Sequence, residues 1–384
     1  MASWSGFYRL TAKERLARVA KERRLSPADA AALANGGALG LPLAGQFIEN
    51  AVGAYALPLG FAVGFVIDGA DVVVPMAVEE SSVVAAACNG AKMAAAGGGF
   101  KTSSMDPVTI GQVEVRAVRN PAAAAKLVKA RAKQWMADLD AGIPSMVARG
   151  GGVKAIVARV VGPSRVVVHL HVDTRDAMGA NVVNTLCEKA APGIVAALGG
   201  KQGLRILSNL ADQRLATAKA SVPVEAVGGL DVAKAIVEAN RFALEDPYRA
   251  ATHNKGVLNG IDPVVIATGN DWRAVEAGAH AYAARDGAYR ALTSYRVRAG
   301  VLECGLTVPV SVGTVGGVTK LHPTAAACLK VLGSPDAMRL ARIVAAVGLA
   351  QNLSALRALS VEGIQDGHMR LHASNLKLLK TKKA

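Results

Sequence analysis

Residues 107–210 constrain the architecture of this chain more than any other stretch. Alternating and β-branched apolar runs predict strands at 110–118, 153–161, 166–172 and 204–207, and helical spacing predicts helices at 121–139 and 177–198. That order, βαββαβ, is the split-βαβ or ferredoxin-like arrangement, complete in about 100 residues. The flanking regions carry mixed strand and helix signals. The fold class expected is therefore α/β (α+β): a large mixed α/β domain in two parts, 1–106 and 211–360, an inserted ferredoxin-like domain at 107–210, and a short C-terminal segment, 361–384.

At 384 residues, the chain is long enough for two domains and a sizeable core. Forty glycines and only 4% aromatic residues imply close packing of backbones by small side chains. Hydrophobic residues make up 52% and the mean hydropathy is +0.29, yet no run of about 18 uninterrupted apolar residues occurs. A membrane protein is not expected. The N-terminus lacks the charged-then-apolar order of a signal peptide, which points to the cytoplasm. Cys88, Cys187, Cys304 and Cys328 are widely spaced with no CxxC pair, so the expectation is buried reduced thiols and no metal site.

Lys and Arg exceed Asp and Glu by 44 to 29, a net charge of +15. An anionic partner fits that balance: nucleic acid, a phosphorylated cofactor or an acidic substrate. Scarce aromatics, dispersed charge and the lack of a helix-turn-helix or RNP-like signature argue against nucleic acid.

Several segments carry local signals. Thr11 and Glu14 form a capping box, and Ser26-Pro27-Ala28-Asp29 opens a second helix. Strands at 61–67 and 71–78 are joined around Asp68-Gly69-Ala70, and the second runs into Glu79-Glu80 and Ser81-Ser82 ahead of a helix. Two carboxylates there either complement a helix dipole or hold a catalytic acid at a strand end. Asp176-Ala177-Met178-Gly179-Ala180-Asn181 sets a glycine where a helix begins, with amides able to meet a phosphate. No GxGxxG follows a strand, and no Walker A match is present.

Residues 249–271 gather Arg249, His253, Lys255, Asn259, Asp262, Asn270 and Asp271 around the apolar run 263–267. That run reads as a buried strand delivering Asp271 into a loop. On their own these charges read first as a solvated loop, since charged side chains are mostly exposed. Gly313, Gly316 and Gly317 mark either a close approach to a ligand or a turn, and a long small-residue helix ending at Gly363 precedes His368.

Five stretches taken together are more specific. IENAVGAYALPLG, VPMAVEESSVVAAA, VDTRDAMGANVVNT, DPYRAATHNKGVLNGIDPVVIATGNDWRAVEAGAHA and GLAQNLSALRALSVEGIQDGHMRLHASN, in this order, closely resemble 3-hydroxy-3-methylglutaryl-coenzyme A (HMG-CoA) reductases of the soluble bacterial class II type. The resemblance implies an oxidoreductase that interconverts HMG-CoA with mevalonate and CoA in two hydride steps. It also implies an obligate homodimer, with higher oligomers open, whose active sites lie at the subunit interface, and no nucleic-acid or membrane partner.

Residue by residue, the resemblance makes Glu80, Lys255, Asp271 and His368 catalytic. Ser82, Arg249 and Asn259 hold the HMG moiety, while Asp176, Ala177, Met178, Gly179, Ala180, Asn181 and Asn209 form the dinucleotide site. The chemistry accounts for these residue types. Lys255 stabilises the oxyanion formed at the thioester carbonyl. His368 protonates the departing CoA thiolate. Glu80, as a buried protonated carboxyl, donates to the mevaldehyde carbonyl, Asp271 tunes both neighbours, and Arg249 takes the HMG carboxylate bidentately.

Two departures from the family pattern stand out. Relatives continue further past the histidine motif, whereas this chain stops nine residues after Asn375; the alternative is a CoA-binding dimer with impaired turnover. Relatives that prefer NADH carry an acid where this chain has Ile143, before Gly150-Gly151-Gly152. A carboxylate there pairs with a ribose 2′-hydroxyl and repels a 2′-phosphate. Its absence, with Arg149 nearby, favours NADPH over NADH, with no metal required.

Overall fold

The structure is a computed structural model that describes residues 4–34, 36 and 39–361. Both expected N-terminal caps are present: Thr11 with Glu14, and Ser26 with Asp29, each form a reciprocal capping box. β1 (Leu59–Ile67) and β2 (Ala70–Ala77) then make a hairpin in which Ile67 faces Ala70. The residues between them, Asp68 and Gly69, have φ values of 53° and 84°. A two-residue turn with both φ positive matches the twist of antiparallel strands, which is the reason for an Asp-Gly pair at this point. Helix α1 (Val83–Ala95) and strand β3 (Phe100–Ser104) follow.

The middle of the chain builds a separate antiparallel sheet. Its elements are β4 (Val108–Arg116), α2 (Pro121–Asp140), β5 (Gly152–Val160), β6 (Val166–Asp173), α3 (Ala180–Leu198) and β7 (Lys201–Leu207). Strand order is β5-β6-β4-β7. Alternation in β6 turns Val166, Val168, Leu170 and Val172 into a core shared with Val128 of α2 and with Val183 and Leu186 of α3. α3 begins three residues later than the sequence pattern indicates, leaving 177–179 in the preceding loop.

The chain returns through β8 (Leu215–Pro223), α4 (Leu230–Glu245), α5 (Pro247–Ala267), α6 (Trp272–Ala283), β9 (Thr293–Arg298), β10 (Val301–Pro309) and α7 (Ala337–Val361). The larger sheet runs β2-β1-β3-β8-β10-β9 and is mixed, antiparallel except where β1 meets β3 at Ile67 and Phe100. The fold is thus mixed α/β.

One expectation fails outright: residues 263–267 are the last turns of α5, not a strand. Apolar periodicity does not separate a buried strand from a buried helix. Here Asp246 caps the start of α5, Pro247 occupies its first turn, and Ile261, Pro263, Val264 and Val265 are all buried. Burial on several sides explains a run with no polar alternation. Asp271 accordingly starts the next helix, α6, as its N-cap.

Small residues let three helices approach closely. A Cβ placed on Gly90 of α1 would lie 2.0 Å from the Ala350 carbonyl of α7, and one on Gly260 of α5 would lie 2.7 Å from the Val347 carbonyl. Gly348 returns the arrangement, with Ile261 Cγ1 2.9 Å from the position its own Cβ would take. α7 is therefore a packed core helix. Among the described residues it alone is long and apolar enough to cross a membrane, and 72% of its apolar window is buried within the fold. Gly90→Ala is expected to destabilise the chain by about 1–3 kcal/mol through overpacking. A denaturant titration would read this as a lower midpoint, and an unchanged midpoint would mean that α1 and α7 have room to separate.

All four cysteines are free; burial pushes the Cys187 and Cys328 thiols up to about 12. Among the described residues no three His, Cys, Asp or Glu side chains gather as metal ligands would.

Candidate active site

α5 is the element on which the site is built. Lys255, Asn259 and Asp262 follow one another at spacings of four and three along it, so they share a face. Beneath that face the helix is pinned by a buried polar network. The His253 ring lies 2.6 Å from Thr293 Oγ1, Thr293 donates to Asn240 Oδ1 at 2.7 Å, and Asn254 donates to the Arg290 carbonyl at 2.9 Å. Burial, then the nearby Arg249 charge, lowers the His253 pKa to about 3, so it packs as neutral imidazole. In the sequence His253 stands among possible site residues. In the fold it is support.

Lys255 Nζ donates to Glu80 Oε2 at 3.1 Å, joining residues 175 positions apart. The strand-to-helix junction between β2 and α1 supplies the carboxylate, and α5 supplies the ammonium. The expectation that Glu80 is buried is not met within one chain: its side chain is 39% exposed and that of Lys255 61%. Glu80 lies beyond the end of β2, outside the stretch Val72 to Ala77 that the fold buries.

Two residues on, Ser82 holds a left-handed φ of 76° at the head of α1, and its Oγ is buried without a hydrogen-bond partner. A strained non-glycine residue with an orphaned hydroxyl is a reason to look for a ligand. Glu80 and Ser82 line a cleft of about 1500 Å³, whose other walls carry Lys13, Arg15 and Lys92. Asp71 and Glu79 line it as well, so basic and acidic side chains share its walls.

Arg249 lies in the first turn of α5, half-buried, its own N–H donating to the Asp246 carboxylate at 3.2 Å; burial lowers its pKa. Asn259 is half-buried. Asp271 does not reach Lys255: its Oδ1 accepts from the Arg273 and Ala274 amides at 3.1 and 3.2 Å and pairs with the Arg273 side chain at 3.4 Å. A single chain thus brings Glu80 and Lys255 together and leaves Asp271 as a helix cap. His368 lies outside the described residues.

In the smaller sheet, β6 leads into the loop 174–179. Gly179, with φ of 102°, caps the 19-residue helix α3, and a Cβ on it would meet Thr174 Cγ2 at 2.6 Å. Only glycine fits. Asn181 is exposed in the first turn, and Asn209 is exposed after β7, whose end is tied to α3 by Leu207 N–H to Asn184 Oδ1 at 2.9 Å. Asp176 faces inward. Its Oδ1 accepts from the Ala337 amide at 3.0 Å, capping α7, and its carbonyl accepts from Thr314 N–H at 2.8 Å.

Two groups escaped the sequence reading. Asp262 belongs to the central stretch, but nothing there singles it out; in the fold its Oδ1 is buried without a partner, and burial together with the Glu276 carboxylate pushes its pKa well up. Arg214, an isolated arginine before an ordinary strand, is buried. No spacing marks it.

Comparison with known proteins gives a consistent result. Residues 11–373 match the hydroxymethylglutaryl-coenzyme A reductase family. The HMG-CoA reductase of Archaeoglobus fulgidus is 50% identical over 378 residues, covering 97% of this chain and 86% of the relative. A probable HMG-CoA reductase of Borreliella burgdorferi is 34% identical over 88% of this chain and 79% of its own length. The class II HMG-CoA reductase of Streptococcus pneumoniae, solved bound to NADPH in open conformations, superposes with a TM-score of 0.90 at 39% identity, covering 93% of this chain and 100% of that one. Sequence and fold agree over nearly the whole length, and the chain belongs to the hydroxymethylglutaryl-coenzyme A reductase family of oxidoreductases, with the class II fold.

Proposed function

We propose that this chain carries out the family reaction at the Glu80–Lys255 pair, interconverting HMG-CoA with mevalonate and CoA with NADPH as hydride donor. The contact of 3.1 Å between these two side chains carries the reading, because a proton donor and a fixed cation are what successive carbonyl reductions require. Lys255 holds the developing oxyanion. Glu80 gives its proton to the aldehyde oxygen in the second step, Arg249 and Asn259 orient the HMG carboxylate and hydroxyl, and the unpartnered Ser82 hydroxyl is available to the same group. His368 protonates the CoA thiolate.

The dinucleotide fits residues 176–181 with Asn209: a helix N-terminus led by a left-handed glycine allows close backbone approach to a pyrophosphate. NADPH supplies hydride when bound. Residues 107–210 then serve as the cofactor domain, 1–106 and 211–360 as the substrate domain, and 361–384 as the flap.

The functional unit we infer is a homodimer in the cytoplasm. Glu80 and Lys255 are too open in one chain for chemistry that needs water kept out, and a second subunit is the natural cover. Val52 and Tyr55, 96% and 93% exposed, are apolar side chains in the same half of the large domain. An idle CoA-binding dimer draws no support from the site, where the Glu80–Lys255 contact and the Ser82 hydroxyl are in place.

The deciding experiment follows NADPH consumption with HMG-CoA, and NADP⁺ reduction with mevalonate and CoA, on the purified protein. HMG-CoA-dependent oxidation of about two NADPH per mevalonate supports the proposal, and absence of turnover in both directions defeats it. Cofactor choice has its own test. Ile143 is half-buried at the head of a short helix, Pro144–Val147, and Arg149 bonds to Ser145 Oγ at 3.0 Å. Wild-type kcat/KM is expected to favour NADPH, and Ile143→Asp to move preference toward NADH by at least about tenfold through repulsion of the 2′-phosphate. A wild-type enzyme strongly selective for NADH would overturn this reading of the loop.

A further inference from the structure

Arg214 precedes β8 and is only 5% exposed. Its guanidinium nevertheless makes five hydrogen bonds. Nη1 donates to Met178 O at 2.9 Å, Thr109 Oγ1 at 3.1 Å and Thr174 Oγ1 at 3.3 Å, and Nη2 donates to Val312 O at 2.6 Å and Ala177 O at 3.2 Å. A cation so deeply buried is tolerated only when its donors are satisfied, and only a planar guanidinium can serve acceptors spread over so wide a fan. Burial lowers its pKa to about 10, with Asp173 opposing the shift, so at neutral pH it stays charged.

The acceptors have a pattern. Two are successive carbonyls of the loop leading to Gly179, and one is the carbonyl of Val312, beyond β10. Because a peptide unit is planar and trans, a carbonyl drawn inward sends the following N–H to the opposite side. Pinning Met178 O toward Arg214 therefore turns the Gly179 amide away from it, toward the side on which α3 begins.

Gly313 closes the arrangement from the large domain. A Cβ there would lie 2.4 Å from Met178 N, and its own N–H donates to Asn270 Oδ1 at 2.7 Å, beside Asp271. Loop 176–179, Arg214, segment 312–313 and residues 270–271 thus form one continuous set of contacts. We infer that Arg214 is a positioning residue for the dinucleotide, fixing the loop amides that receive the pyrophosphate and, with Gly313, tying that loop to the segment bearing Asp271. The inference rests on reading residues 176–181 as the dinucleotide site.

Arg214→Lys keeps the charge and loses the fork. Binding of NADPH and of NADH, read by protein fluorescence, is expected to weaken by about tenfold or more, the order of one net hydrogen bond. Both cofactors should weaken by the same factor, since they share the pyrophosphate. HMG-CoA KM at saturating NADPH should stay within about threefold. A merely structural arginine would instead lower the active fraction and leave dinucleotide affinity alone. Dinucleotide affinities within twofold of wild type, or an equal rise in HMG-CoA KM, would overturn the inference. If Arg214→Lys does not fold, Gly313→Ala presses on the same loop without removing a buried charge. It is expected to give the same split, and unchanged NADPH affinity there overturns the inference too. A wild-type protein that binds neither dinucleotide defeats the reading of the loop itself, and Arg214's role with it.

Discussion

Lys255→Ala is expected to lose at least 10²- to 10³-fold in kcat, roughly the cost of removing one preorganised group that meets a developing oxyanion. Stability should barely change. The ion pair with Glu80 is 3.1 Å long but lies between side chains 61% and 39% exposed, and exposed pairs contribute about 0–1 kcal/mol. What holds α5 in place is the buried network around His253, Thr293 and Asn240, which the substitution leaves intact. Steady-state rates and a denaturation curve on the same preparation test both halves. Activity above about a tenth of wild type would remove Lys255 from the chemistry, and a large fall in stability would mean that α5 depends on the pair.

His368→Gln should separate the two reductions. A group that protonates the departing CoA thiolate is needed while the thioester is being cleaved and idle once free mevaldehyde is the substrate, because no thiolate leaves in that step. HMG-CoA reduction is expected to fall by about 10²-fold or more while mevaldehyde reduction stays within a few-fold of wild type. Rates on both substrates with one folded preparation decide it. Parallel losses would mean that His368 supports the site without giving the proton.

Much of the architecture is legible in the sequence because it is encoded locally. The capping residues Thr11 and Ser26, the Asp68-Gly69 turn and the alternation of Val166, Val168, Leu170 and Val172 each specify a conformation through contacts within a few residues or on one face of a strand. The βαββαβ order is a string of such local signals. The family was readable for a different reason: its motifs are long, and five in fixed order leave little room for coincidence.

Tertiary structure decided what depends on burial and on distant partners. Residues 263–267 look like a strand because burial on several sides erases the polar spacing that distinguishes a helix. Proximity of Glu80 to Lys255 comes from packing across 175 positions, and no local rule sets it. Arg214 is the clearest case. An arginine's sequence context does not reveal whether water or five protein oxygens will surround it, because those oxygens come from three separate segments that meet only when the two sheets are in place.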